Sequence, residues 1–161
     1  MMNALHRNLV VLTAATTVLL AGCTTPAPPK REAPADFGIY DKPNVLKAVS
    51  ADRVVYQVKY LENKPLADQG FWQIALKERL AKTGYVVTSE GAIESAGKQG
   101  YYVETTAPRG TTDYIYLVAL FVQDKQLIVV ESAGELAAYK ARRETIFSAI
   151  KAGNLTGTLA H

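Results

Sequence analysis

Tyr114-Ile115-Tyr116-Leu117-Val118-Ala119-Leu120-Phe121-Val122 is the stretch on which the fold turns. Nine apolar residues in a row, rich in aromatic and β-branched types, are too few and too unrelieved for an amphipathic helix, and read as a central strand covered on both faces. Its neighbours in sequence are strand-like too. Upstream, Pro108-Arg109-Gly110 turns the chain from the alternating run Tyr101 to Thr106; before that come a flexible turn at Gly97 to Gly100 and a β-branched run, Tyr85 to Thr88. Downstream, Asp124-Lys125 connects tightly to Leu127 to Val130. Loops this short cannot hold parallel crossovers, so the expectation is an antiparallel meander.

A sheet covered on both faces needs helices. Trp72, Ala75, Leu76 and Leu80 recur at helical spacing, with Phe71 and Ile74 widening the stripe, so a helix is expected from about Gln69 to Thr83, capped by Asp68 and ended at Gly84. The plainer reading of Trp72 is core packing; a ligand pocket between this helix and the sheet is the alternative. A closing helix is expected after Ser132-Ala133-Gly134-Glu135, which has the S-x-x-E form of a capping box, with Leu136, Tyr139, Ile146, Phe147 and Ile150 as its apolar stripe. Arg142, Arg143 and Lys151 lie towards its end, where cations favour the helix dipole, and Gly153 stops it. Ahead of the first helix, Val45 to Val49, a turn at Ser50-Ala51-Asp52-Arg53, and Val54 to Leu61 form a hairpin. Phe37 to Pro43 reads as a docking segment without regular structure.

The order hairpin, helix, antiparallel meander, helix, with Gly84-Tyr85-Val86-Val87 directly after the amphipathic helix, resembles the PsbP-like α/β/α sandwich superfamily. The fold class expected is therefore α+β, an antiparallel sheet of about six strands flanked by helices. That resemblance also implies a role in binding or assembly rather than catalysis. The superfamily includes photosystem-associated lumenal proteins, a Ran-GTPase-binding protein and bacterial lipoproteins, and shares no catalytic motif. A generic α+β sandwich of other ancestry is the alternative.

The N-terminus reads as an address. His6 and Arg7 precede Leu9 to Leu20, twelve residues that are too short to cross a hydrocarbon core about 30 Å thick but suit a signal peptide. Leu20-Ala21-Gly22-Cys23 then matches the lipobox of bacterial lipoproteins. The resemblance implies removal of residues 1–22, diacylglycerol on the Cys23 thiol, and stable attachment to a membrane through two or three acyl chains. Thr24, where an Asp would favour the inner membrane, points to the outer membrane, facing the periplasm. Residues 23–36 carry Pro26, Pro28, Pro29 and Pro34 and read as an extended tether, leaving 37–161 as a single globular domain.

Composition narrows the chemistry. With Arg7 removed from the 18 basic residues, 17 face 15 acidic ones, and no basic stripe argues for nucleic acid as a partner. Cys23 is the one cysteine, and the two histidines are His6 in the leader and His161 at the end of the chain. The domain is thus expected to lack disulfides, the usual zinc ligand sets, and Ser-His or Cys-His nucleophile pairs, and to need no cofactor. Ser148-Ala149-Ile150-Lys151 and Lys82-Thr83-Gly84 match two of three signatures of penicillin-recognising enzymes, but in reversed order, without S-D-N, and with the second at a helix end. They are read as coincidence.

Two surface readings complete the picture. Glu104, Asp113 and Glu131 fall near strand ends; paired carboxylates for hydrolysis are the sharper reading, solvated faces the plainer one. Tyr101, Tyr102, Tyr114 and Tyr116 lie on strands that the turn at Pro108 brings together, and could offer a binding surface for a protein of the envelope. A non-catalytic, membrane-anchored lipoprotein that binds or assembles an envelope partner is the expectation. A carrier of a small apolar molecule, held between the sheet and the helix bearing Trp72, is the alternative, and its mark would be an unfilled cavity beside that side chain.

Overall fold

A computed structural model describes residues 33–40, 45–109 and 112–153. The expected leader, Cys23, most of the expected tether, residues 41–44 and 110–111, and the residues from Asn154 lie outside them. The elements are β1 (Phe37–Ile39), β2 (Val45–Ser50), β3 (Val55–Glu62), α1 (Gln69–Lys82), β4 (Val86–Ser95), β5 (Lys98–Arg109), β6 (Thr112–Gln123), β7 (Gln126–Glu135) and α2 (Leu136–Ala152). All seven strands form one antiparallel sheet in the order β1-β2-β3-β7-β6-β5-β4.

The nine-residue apolar run is β6, and it lies between β5 and β7, as its uniform apolarity requires. Its odd residues Ile115, Leu117, Ala119 and Phe121 face α2 and join Tyr56, Val58, Ile128, Val130, Tyr139, Ile146 and Ile150 in the main core. Its even residues face α1. One helix therefore covers each face of the sheet, an α/β/α sandwich.

Among the described residues the strand count is seven because Phe37–Ile39, expected to be irregular, pairs with Ala48–Ser50 and adds an edge strand. At the opposite edge β4 runs on to Ser95, well past the expected Thr88. Most of its residues are exposed, so hydrophobic alternation could not announce it. Ala96 and Gly97, both with positive φ, make the tight turn into β5, a conformation that suits a two-residue hairpin. Gly100, expected in that turn, lies instead within β5.

The capping box at Ser132 does not form. Those residues belong to β7, where the Ser132 hydroxyl donates to the Val55 carbonyl on β3, and Glu135 makes no side-chain cap to α2. A sheet ladder satisfied the backbone that the motif was expected to satisfy. Nor do Arg142 and Arg143 serve the helix end. Arg142 pairs with Asp52 at 2.7 Å, in the β2–β3 turn, and Arg143 with Glu104 at 2.8 Å.

Helix α1 is closed by its own caps and tied to the sheet by two side chains, Gln69 and Asn63. Asp68 caps it, accepting from the Phe71 N–H at 2.9 Å, and Gly84, with φ 78°, follows its end. The Gln69 amide brackets β6, donating to the Leu120 carbonyl and accepting from the Val122 N–H, both at 3.2 Å. Buried Asn63 donates to the carbonyls of Ala67 and Asp124 and accepts from the Trp72 indole at 2.7 Å. These bonds hold α1 over β5 and β6. Phe71 and Ile74, expected on the buried stripe, are 48% and 63% exposed on its outer side.

Candidate functional site

Because α1 sits over β5 and β6, the sheet beside it is only partly covered, and a cleft of about 390 Å³ opens between helix and sheet. One wall is α1, presenting Trp72, Ala75, Leu76 and Arg79 on successive turns. The floor is the α1 side of three strands: Tyr116, Val118 and Leu120 of β6, Leu127, Val129 and Glu131 of β7, and Lys59 and Leu61 of β3. The strand register places these side chains together, since Val118 pairs with Glu131, Leu120 with Val129, and Val129 with Lys59. The Trp72 indole, fixed by its bond to Asn63, stands as part of the apolar wall rather than as closed core.

One end of the cleft is polar. The Glu131 carboxylate accepts from the Tyr116 hydroxyl at 2.8 Å and from the Gln57 amide at 2.8 Å, and it pairs with the Lys59 ammonium at 2.6 Å. Burial, then the neighbouring Glu131 charge, pushes the Tyr116 hydroxyl well above its ordinary value, so it stays a neutral donor; the positive charge of Arg79 acts on it in the opposite sense. The Tyr85 ring leans on the Tyr116 ring, centroids 5.7 Å apart. Exposed Arg79, at the lip, makes no side-chain hydrogen bond or ion pair among the described residues. The arrangement can hold an apolar body along α1 and meet a polar group at the Tyr116 end.

The residues singled out in the sequence fall as follows. Tyr116 lines the cleft, and Tyr114 shares its face of β6. Tyr101 opposes Leu120 and is on that face too, but four residues further along, about 13 Å away. Its hydroxyl is pushed up to about 12 by burial and by its hydrogen bond to Glu90. Tyr102 is on the opposite face, packed edge-on against Phe147 at 5.1 Å. Alternation along β5 thus divides the tyrosine set between the two faces.

The carboxylates do not converge. Glu104 opposes Leu117 on the α2 face, while Glu131 opposes Val118 on the α1 face, and Asp113 is exposed near the start of β6. Expected to be solvated, Glu104 is instead 5% exposed, accepting from the Tyr139 hydroxyl at 2.8 Å and from Arg143 through two guanidinium nitrogens. Ser148 and Lys151 lie on α2 and Lys82 to Gly84 at the end of α1, so the sheet stands between the two penicillin-enzyme look-alikes. Among the described residues no group of three or more His, Cys, Asp or Glu is placed to hold a metal ion, and no helix is long and apolar enough to cross a membrane. Cys23 lies outside the described residues.

Sequence reasoning named Trp72 and Tyr116 separately, and missed Lys59, Arg79, Tyr85 and the position of Glu131. The signal available was the seven-residue step from Trp72 to Arg79, two turns along one helix face.

Fold and cleft together define an antiparallel α/β/α sandwich with an apolar groove under one helix. No protein-family model and no curated protein sequence matches the chain. Among solved structures it is similar to a protein of unknown function from Pseudomonas aeruginosa, at 11% identity and TM-score 0.58, over 77% of this chain and 99% of that one. It is also similar to the cyanobacterial PsbP (CyanoP) of Synechocystis sp. PCC 6803, at 12% identity and TM-score 0.50, over 73% and 80%. The PsbP-like fold expected from the layout of elements is the fold found.

Proposed function

We propose that this chain is a lipoprotein of the bacterial cell envelope, held on its membrane by lipid on Cys23, whose domain works by binding rather than catalysis, and that the cleft under α1 is its binding site. The cleft beside Trp72 carries the proposal. Its volume falls within the range of about 300–1,000 Å³ usual for small-molecule sites, and its walls are mostly apolar with a few polar groups at one end. These features favour a small ligand with an apolar body. The lipobox and the proline-rich stretch after it support the anchored state, since a tether frees a domain to meet its ligand or partner at the membrane surface.

A second reading has its own support. Leu66, Phe71 and Ile74 are 72%, 48% and 63% exposed, and the last two lie one turn apart on the outer side of α1, which suits contact with an envelope protein. The small-ligand reading is preferred because the cleft is a concave site with fixed walls.

Trp72 is the only tryptophan, so its emission reports on the cleft directly. Titration of the full chain carrying Cys23→Ser with 1-dodecanol, a neutral apolar probe, should give a saturable change that Ala75→Phe, filling the cleft from its wall, abolishes. No saturable change would refute the cleft as a binding site. Independently, Cys23→Ser should move the protein out of the membrane fraction, and an unchanged fraction would refute the anchor.

A further inference from the structure

We propose that the ligand of the cleft is a single-chain amphiphile with a carboxylate head, its chain lying along Trp72 and Leu76 and its head meeting the Arg79 guanidinium. This inference rests on the reading of the cleft as a binding site and adds the chemistry of the head group.

Charge inside the cleft is unbalanced. Its lining holds two cations, Lys59 and Arg79, and one carboxylate, Glu131. Lys59 is already engaged by Glu131 at 2.6 Å, and Glu131 is further held by Gln57 and Tyr116. Arg79 makes no side-chain hydrogen bond or ion pair among the described residues, and its neighbour Glu78 pairs with Lys82 instead, at 3.9 Å. Among the described residues, the charge that remains uncompensated over the groove is therefore a single guanidinium.

Its position suits a head group. Trp72, Leu76, Arg79 and Thr83 follow one another along the cleft side of α1, so the apolar wall gives way to the cation after two helical turns, about 10 Å. Arg79 shares the cleft lining with Tyr116, Thr83 and Tyr85, and its charge favours ionisation of the Tyr116 hydroxyl. A chain running from Leu120 and Leu127 towards Tyr116 would bring its terminal group to the guanidinium.

The kind of anion follows from the count of charges. A carboxylate matches one guanidinium in both charge and bidentate geometry. A phosphate monoester, carrying close to two charges at neutral pH, would leave one of them unmatched, and an alcohol would leave the guanidinium as it is.

The test compares dodecanoate with 1-dodecanol, below their micelle-forming concentrations, by Trp72 emission on the full chain carrying Cys23→Ser. Dodecanoate should bind about tenfold more tightly, an advantage that shrinks as salt is raised. Arg79→Gln should remove the advantage, so that the two probes bind that variant equally, while Arg79→Lys should retain part of it. Equal affinities in the unsubstituted cleft, or an advantage that persists in Arg79→Gln, would overturn the head-group assignment and leave the cleft as an apolar site. Failure of both probes to bind would overturn the cleft reading and this inference together.

Discussion

Gly100→Ala should be one of the most costly single-methyl additions in this protein. The residue lies in β5 directly beneath the Phe121 ring, and a Cβ added there would come within 2.5 Å of Phe121 Cε1 and 2.7 Å of the Leu120 carbonyl oxygen. Ordinary contact needs roughly 3.5 Å or more. The carbonyl belongs to the β6 backbone and cannot yield, so the ring must retreat by about 1 Å into a core where Phe121 is already 0% exposed. Overpacking of that kind costs about 1–3 kcal/mol, and the ring contact places this site near the upper end. Alanine regains about 0.5–1 kcal/mol over glycine in a strand interior, so the net loss is about 2 kcal/mol, or roughly 8 °C in Tm. Urea denaturation followed by Trp72 emission should show a lowered midpoint with an unchanged slope. Repeating the substitution in a Phe121→Leu background, where the ring is gone, should cost less, with the remainder coming from the Leu120 carbonyl contact. An unchanged or raised midpoint, or an equal penalty in both backgrounds, would refute the assignment of the cost to the ring.

One further substitution and one change of condition probe the buried polar groups on the two faces of the sheet. Glu104→Gln keeps the side-chain volume but removes the charge that binds Tyr139 and Arg143, and should cost about 1–2 kcal/mol by chemical denaturation. The lower half of the usual range applies because the Arg143 side chain is 36% exposed and also lies over the Phe147 ring at 4.4 Å. A change below about 0.5 kcal/mol would show that the cluster contributes little. Stability should also fall at alkaline pH. Burial raises the hydroxyls of Tyr56, Tyr116 and Tyr139 above their ordinary value of 10.0, with the bond to Glu104 adding to the shift at Tyr139. The unfolded chain therefore gives up those protons first, so the contribution is complete below pH 10 and is lost as pH rises beyond it. Denaturation midpoints that stay level from pH 9 to 12, or that fall equally steeply in Tyr139→Phe, would contradict the shift.

Local elements were legible where a short-range rule had no competitor. Asp68 capped α1 and Gly84 ended it because both signals act through bonds and dihedrals within one turn. The S-x-x-E form at Ser132 failed for the complementary reason: β6 pairs all four of its residues and β3 pairs Ser132 and Ala133, and a continuous ladder outweighs one cap. Strand β4 was read short because an edge strand with most side chains in water carries no alternation. The pairing of Glu104 with Arg143, 39 residues apart, left no mark in composition or spacing.

By itself the sequence determined the class of the fold. Nine apolar residues in Tyr114–Val122 demanded a strand with cover on both faces, short turns demanded antiparallel neighbours, and two amphipathic stretches supplied the cover. It also placed Trp72 on a sheet-facing helix. Only the tertiary structure decided that Trp72 borders a cleft rather than filling a core. That outcome depends on where α1 is held across the sheet, and it is held by Gln69 on β6 and Asn63 beside β7, over β5 and β6, leaving the floor formed by β7 and β3 partly open. Side-chain periodicity reports which face of a helix is apolar; it carries no record of how far across a sheet the helix lies.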